Sequence, residues 1–455
     1  MAFNILPIEL NKEIAHYLDS DKDICNFRLI CKNASYAVDG DGLSFWRALF
    51  RQKYALNPSH ANSRLMKVYQ KRRKWLRQGS GLTFHLGHTT TEIKVLEILI
   101  DLINESFTGE IFYDRNNRPY CRNQLVLKSF LESSRNFAEV NRPSSRAETY
   151  HARLAALQLM SSHLLLDCDD PIGDVYGFDA SQKAVYETAK VAPIFHGFNN
   201  QEINMEWVLH VMNFFRYYMM PDNASTLSNF YQSLEDLVKP SQWRGKLKEG
   251  SHKLEPHWKG TYAFLERNEI RRIRSRPAGS QIFVDRNVDC CDDDPIQTLR
   301  IEFNEGEKMP WFPLWEQHLR SNQKIHHAKT RAQHKSATPS TEGPVSLRLE
   351  GTGRDVGDNF LASGWLNPLP SQWGIPGWQR ITFMKYFKND AEELETECLW
   401  AYEGVVLPGG KIILGRWWHV EEDAPYDEAY SGPFIFWNVD ERSIKSEESE
   451  FAEER

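Results

Sequence analysis

The chain has 455 residues, 41% of them hydrophobic and 26% charged, with 55 basic against 62 acidic side chains and a net charge of −7. Those proportions are ordinary for a globular protein and exclude collagen, an extended coiled coil and wholesale disorder. The mild acidity provides no global field for nucleic acid or for an anionic membrane, so neither is expected as a partner. At roughly 150 residues per domain the length predicts about three domains. Seven cysteines without a Cys-x-x-Cys pair predict neither a disulfide framework nor a zinc ribbon, and fit a reducing compartment. The opening Met-Ala-Phe-Asn-Ile-Leu-Pro lacks a basic region followed by an apolar run, so no signal peptide is expected. The most apolar stretch, residues 95–103, is interrupted by Glu97 and Asp101 and is far short of the roughly 20 residues of a membrane span. The sequons at Asn33 and Asn223 then carry no meaning, and the expected location is cytoplasmic, nuclear or both.

Residues 1–55 read as a compact unit of three short helices. Pro7 suits a first helical turn, and Leu6, Leu10, Ile14 and Leu18 recur every four residues, the stripe of an amphipathic helix. Asp19-Ser20-Asp21 supplies a break and a cap, Ile24, Phe27, Leu29, Ile30 and Cys31 lie on a second helix, and a third begins at Phe45 after the turn Asp39-Gly40-Asp41-Gly42. Residues 56–240 read as a helical linker or platform. Apolar residues recur at helical spacing in Ile93, Leu96, Ile100 and Ile103, in Leu154, Leu157 and Met160, and over 205–220 and 227–237, with no fixed repeat and no catalytic signature. Within this region Lys71-Arg72-Arg73-Lys74 reads as a solvated helix face, with a nuclear-localisation patch as the alternative.

After Pro240 the texture changes: 11 of the 14 tryptophans lie there, and short aromatic and β-branched stretches alternate with Gly, Pro and Asp. Strands are predicted at 257–265, 281–285, 297–304, 345–351, 359–365, 378–387, 397–406, 411–418 and 433–438, which indicates an antiparallel β-barrel or sandwich over 241–440. The clearest hairpin turns at Leu407-Pro408-Gly409-Gly410; in its first strand Trp400, Tyr402 and Val406 share one face, and Leu399, Ala401 and Val405 the other. Residues 321–343, carrying Lys324, His326, His327, Lys329, Arg331, His334 and Lys335 and then Ser, Thr, Pro and Gly, read as a disordered insertion, and 441–455 as an acidic disordered tail.

Other constellations read as structural. Gly351, Gly353 and Gly357 match neither a dinucleotide nor a Walker spacing and are expected in a β-turn. His326, His327 and His334 lie in the low-complexity insertion, and Cys290-Cys291-Asp292-Asp293-Asp294 reads as a plain turn, so no metal and no cofactor is expected. Arg271, Arg272, Arg274 and Arg276 read as a solvated edge strand, with an anion reader as the alternative. No Gly-x-Ser-x-Gly and no His-Glu-x-x-His occurs, and nothing in the chain asks for an enzyme.

Residues 1–55 resemble an F-box. The family's Leu-Pro-x-Glu-Leu opening is matched by Leu6-Pro7-Ile8-Glu9-Leu10, its aromatic-Leu pair by Tyr17-Leu18, its Arg-Leu-Val-Cys-Lys segment by Arg28-Leu29-Ile30-Cys31-Lys32, and its Trp-Arg-x-Leu close by Trp46-Arg47-Ala48-Leu49. The resemblance implies docking on a Skp-type adaptor and, through it, on a cullin-RING ubiquitin ligase. Leu6, Pro7, Ile8, Leu10, Ile14 and Leu18 would form the adaptor-binding face; the alternative is that they pack on the following helices. A unit this small cannot bury a core alone, which is consistent with a surface kept for a partner.

Residues 258–437 resemble the β-barrel substrate domain of F-box-only proteins, the cyclin-D1-binding domain of the animal members. The similarity rests on Trp258-Lys259-Gly260-Thr261-Tyr262, on the block from Gly351 to Gly357, on Lys385-Tyr386-Phe387, and on Trp400 to Gly404 leading to Ile413 to Trp417. The fold class expected is thus multidomain α+β: an F-box, a helical middle and a lipocalin-like antiparallel barrel. The resemblance implies a non-catalytic substrate receptor whose barrel holds a protein segment or chain end. Trp258, Thr261, Arg354, Asp355, Lys385, Trp400, Tyr402 and Arg416 are the expected substrate contacts, the polar ones because a chain end in an apolar barrel needs directed hydrogen bonds. The alternatives are a small-molecule carrier or sensor with a tryptophan-lined cavity and, more remotely, a hydrolase hidden in the barrel.

Overall fold

The structure is a computed structural model that describes residues 2–18, 20–82, 84, 88–133, 152–165, 177–220, 225–276, 295–303, 310–321, 346–389, 391, 393–420 and 430–440. The strand expected at 281–285, the Cys290–Asp294 turn, the insertion past Ser321 with its three histidines, and the acidic tail lie outside the described residues. The chain divides into two compact units: Met1–Asn136 with Arg244–Lys246, and Phe137–Trp243 with Leu247–Arg455. The helical middle, expected as one platform, is therefore shared between two units. Among the described residues no helix is long and apolar enough to cross a membrane.

The first unit is helical: α1 (Ile8–His16), α2 (Asp21–Ile30), α3 (Lys32–Asp39), α4 (Ser44–Lys53), α5 (Asn62–Ser80), α6 (Thr90–Asn104) and α7 (Arg122–Ser133), with a small hairpin of β1 (Phe112–Tyr113) and β2 (Pro119–Tyr120). Four short helices stand where periodicity predicts three. Cys31 is extended (φ −163°, ψ 170°) and its sulfur accepts from the Ala34 amide, so one residue ends α2 and caps α3. Ala15, Ala34 and Ala37 are fully buried, which lets α1 and α3 approach closely. Phe45, Trp46, Leu49 and Phe50 of α4 are buried with Leu65 and Tyr69 of α5. The basic run on α5 is not a uniformly solvated face. Arg72 is 1% exposed, lies 4.9 Å over the Tyr54 ring and pairs with Glu105 at 2.8 Å. The helix period turns Arg72 inward while Lys71, Arg73 and Lys74 stay exposed. Thr89 and Glu92 form a reciprocal capping box that starts α6.

The second unit places helices around a closed barrel. Its helices are α8 (Ala152–Leu165), α9 (Phe178–Tyr186), α10 (Met205–Met219) and α11 (Thr226–Ser233), with a hairpin of β3 (Phe195–His196) and β4 (Glu202–Ile203). The barrel strands are β5 (His257–Tyr262), β6 (Gln297–Glu302), β7 (Leu347–Asp355), β8 (Asp358–Pro368), β9 (Gln379–Tyr386), β10 (Trp400–Val406), β11 (Ile412–His419) and β12 (Ser431–Asn438). Each strand pairs antiparallel with its sequence neighbour, and β12 closes on β5, so no strand edge is left open. The predicted hairpin is present, with Gly409 and Gly410 at positive φ in its turn. The Arg271–Arg276 cluster lies on a helix, α12 (Arg267–Ser275), not on an edge strand: Ile270 and Ile273, three residues apart, bury one face and leave the arginines on the rest. Gly351 and Gly353 lie within β7 rather than in a turn. The turn is Val356-Gly357, both at positive φ, between the paired Asp355 and Asp358.

Alternation separates the barrel's two faces. Leu299, Ile301, Leu349, Phe360, Leu366, Ile381, Phe383, Tyr402, Val406, Ile413, Phe434 and Phe436 fill the interior. Phe383 stacks on Tyr402 at 4.7 Å, and Tyr402 meets Phe434 edge-on at 5.0 Å, so side chains close the middle of the barrel. Close packing sets the glycine at 415: a Cβ there would collide with the Glu403 carbonyl and come within 2.6 Å of the Phe434 ring. The outer face is also covered. α10 packs on β11 and β12, and α13 (Pro313–Leu319) inserts Trp315 and Leu319 among Met384, Tyr386, Leu399, Ala401 and Trp418. Arg380 fixes α13 by donating to the carbonyls of Leu319 (2.8 Å) and Arg320 (3.1 Å) while pairing with Glu403 at 2.6 Å.

Candidate functional site

Two surfaces carry the residues singled out from sequence, one in each unit. In the first unit the apolar stripe that runs along α1 stays outside the fully buried core. The residues it buries are Asn11 and Ala15; the Asn11 amide donates to the carbonyls of Phe3 (3.2 Å) and Leu6 (3.3 Å), tying the incoming chain to the helix. Leu10 is 50% exposed and Pro7 is exposed, while Leu6, Ile8, Ile14 and Leu18 are half-buried. None of the six expected adaptor contacts is buried. Ile5, Tyr17, Leu29, Ile30 and Tyr36 are exposed as well, Leu29 at 84%. Single exposed apolar residues are normal on any protein; so many on three consecutive short helices and their lead-in are not. Ion pairs from Lys12 to Asp41 and from Arg28 to Asp39 fasten α1 and α2 to the segment before α4, so this surface sits on a braced scaffold.

In the second unit the candidate site is one end of the barrel. Lys385 on β9 points inward and pairs with Asp355 at the end of β7; their side chains are 5% and 10% exposed. The Lys385 ammonium lies 4.5 Å over the Phe360 ring and 5.7 Å from the rings of Tyr262 and Phe387. Trp400 meets Trp417 at 5.4 Å, and Trp417 meets Tyr262 at 5.9 Å and Tyr430 at 5.6 Å, which builds an aromatic collar around the charged pair. Two polar groups at this end have no hydrogen-bond partner among the described residues. The Gln297 side chain, in a residue 3% exposed, leaves both Nε2 and Oε1 unbonded, and the Trp417 indole N–H has no acceptor. Buried polar groups are nearly always satisfied, so an orphan donor–acceptor pair beside a charge pair suits a polar ligand group that supplies both complements.

The eight expected barrel contacts scatter accordingly. Asp355, Lys385 and Trp400 meet at the mouth, and Tyr402 forms part of the floor beneath them. Trp258 also faces inward but lies at the opposite end, where its indole donates to the Glu255 carbonyl at 2.7 Å. Thr261 is on the outer face and fully buried, and Arg354 is exposed at the end of β7. Arg416 is on the outer face too: it lies 4.6 Å over the Trp207 ring and donates to the carbonyls of Glu187 (3.2 Å) and Ala192 (2.9 Å), stapling β11 to the helices. Period-two alternation carries the reason. Trp258 and Thr261 are three apart, Arg354 adjoins Asp355 and Arg416 adjoins Trp417, so neither member of such a pair can share a face with the other. The same parity, counted from Trp258, gives Tyr262; Trp417 follows from the hairpin register that sets it opposite Tyr402, and Gln297 only from the β5–β6 register that sets it opposite Gly260. No family model matches the chain, and neither curated proteins nor solved structures yield a match.

Proposed function

We propose that the chain is a substrate receptor of an SCF-type ubiquitin ligase, with α1–α3 docking on a Skp-type adaptor and the mouth of the barrel holding a segment of the protein to be modified. The observation that carries this reading is the apolar surface left accessible on α1–α3 and their lead-in: α1 buries an asparagine and an alanine, while Leu10, Tyr17 and Leu29 are exposed and available to another molecule. Ubiquitin transfer belongs to the partner enzymes. This chain contributes proximity, raising the effective concentration of an acceptor lysine, and it names no catalytic residue. Co-expression with a Skp-type adaptor tests the reading. Wild type should co-purify as a stoichiometric complex, and a Leu10→Asp/Leu29→Asp variant should lose it while melting at the wild-type temperature. A wild type that stays folded and alone overturns it.

The orphaned Gln297 and Trp417 groups favour a polar ligand at the mouth and leave a second reading, a lipocalin-like carrier or sensor. The packed rings of Phe383, Tyr402 and Phe434 speak against a deep apolar cavity, so either occupant sits near the rim. Tryptophan fluorescence separates the two. Saturable quenching by small hydrophobic compounds without peptide binding supports the carrier, and the reverse supports the receptor.

A further inference from the structure

The first unit holds a groove of about 500 Å3 between α2 and α5, on α2 positions other than the exposed Leu29 and Ile30. Its floor is apolar: Ile24, Trp46 and Tyr69, with the two aromatic rings 5.8 Å apart. Its rim is basic. Arg28, Arg73, Lys74 and Arg77 all line it, and Asp21 is its one acid. Asp21 is already engaged, accepting from the Tyr69 hydroxyl at 3.1 Å and from Arg73 Nε at 2.8 Å, and Arg28 is paired with Asp39. Lys74 and Arg77, one turn apart on the exposed side of α5, form no ion pair among the described residues. Among the described residues the groove therefore carries two cations with no ion-pair partner, Lys74 lying 4.9 Å over the Trp75 ring, above an aromatic floor and on a chain whose net charge is negative.

We propose that this groove is a docking site for an acidic segment of a partner protein, one that sets an aromatic or large aliphatic side chain on Trp46 and Tyr69 and its carboxylates against Lys74 and Arg77. The charge argues for the carboxylates, and the apolar floor argues for a side-chain anchor that a plain polyanion lacks. The site is separate from the α1 stripe and does not depend on the ligase reading.

The full-length protein and a fluorescein-labelled synthetic peptide, one phenylalanine flanked by glutamates, test it. Cys25, exposed and lining the groove, reports occupancy through its alkylation rate. Binding should be saturable, slow Cys25 alkylation, and weaken as salt shortens the Debye length from roughly 10 Å to 3 Å. Lys74→Glu/Arg77→Glu should lower affinity about tenfold or more, from two attractions turned to repulsions, and restore the alkylation rate. The milder Lys74→Ala/Arg77→Ala variant should show a smaller loss in the same direction and guards against misfolding. Replacing the phenylalanine by glutamate should weaken binding despite the added charge. Binding that is absent, that leaves Cys25 equally reactive, or that survives both variants overturns the proposal. Equal binding and equal Cys25 protection by a single-stranded RNA of similar charge overturns it in favour of a nucleic-acid site.

Discussion

The two units dispose of the same kind of residue in opposite ways. In the barrel, alternate aromatic and aliphatic side chains point inward and are nearly all inaccessible, down to fully buried Phe434 and Val406. Along α1 an equally regular stripe stays outside the buried core, with Leu10 exposed and Leu6, Ile14 and Leu18 half-buried, while the residues the helix buries are Asn11 and Ala15. Periodicity says that a helix or strand has an apolar face; it does not say what that face meets. A closed barrel supplies its own partner for that face, because each strand's inner surface lies across from the others. A short helix packed through alanines does not, and Leu10 stays exposed.

Several substitutions would break or sharpen that contrast. The largest effect is expected inside the barrel. Phe434→Ala should destabilise the second unit by about 3–5 kcal/mol, read from denaturant midpoints, since the ring packs against Tyr402 and Phe436 and cannot be replaced by collapse of a closed sheet. Lys385→Ala should cost a similar about 3–5 kcal/mol by leaving the Asp355 carboxylate buried and unpaired. A Lys385→Met/Asp355→Leu double variant should recover most of that loss, and a double-mutant cycle reads the coupling. If the single and double variants are equally unstable, the pair is not the stabilising element at the mouth.

The next effect is a pH dependence of the second unit. His210 is half-buried on α10 beside Ser181 of α9, whose hydroxyl lies 3.1 Å from Nδ1, and desolvation pushes its imidazole down to about 3. The folded-state value is below the ordinary 6.5, so the unfolded chain takes up a proton that the folded one refuses. Stability is full above pH 6.5 and falls as the pH drops toward 3, by about 2 kcal/mol at pH 5. His210→Gln should flatten that slope in urea titrations at pH 5 and pH 7; an unchanged slope would assign the acid sensitivity elsewhere. The smallest effect is expected at the outward stripe, where Leu10→Ala should change stability by less than about 0.5 kcal/mol, in contrast with any interior barrel position. A loss of several kcal/mol there would mean that the leucine is part of the core.

Much of the barrel was legible in the sequence. All eight strands overlap predicted segments, although β7, β8, β11 and β12 run past the predicted bounds; the hairpin turn at Gly409-Gly410 is as read, and Trp400, Tyr402 and Val406 face inward while Leu399 and Ala401 face out. Period-two patterning and turn glycines are strong local signals. The candidate site was less legible. Lys385 and Asp355 lie 30 residues apart, and their pairing depends on a register across β7, β8 and β9 that no local pattern encodes. Arg416 and Thr261 were selected for polarity, against the parity of their own strands. The arginines of α12 show the opposite failure: four bases in six residues resemble a charged edge, and only the burial of Ile270 and Ile273 against a neighbouring element makes them a helix face. Arg72, likewise, is turned inward by helical phase and by Glu105, which lies 33 positions along the chain.

The central claim, that α1–α3 present their apolar residues to an adaptor, is tested most directly by hydrogen–deuterium exchange of the full-length chain with and without a Skp-type adaptor. Adaptor binding should slow exchange over residues 5–36 and leave the barrel amides unchanged. Complex formation with protection confined to the barrel or to α5–α7, or no complex at all, would contradict it.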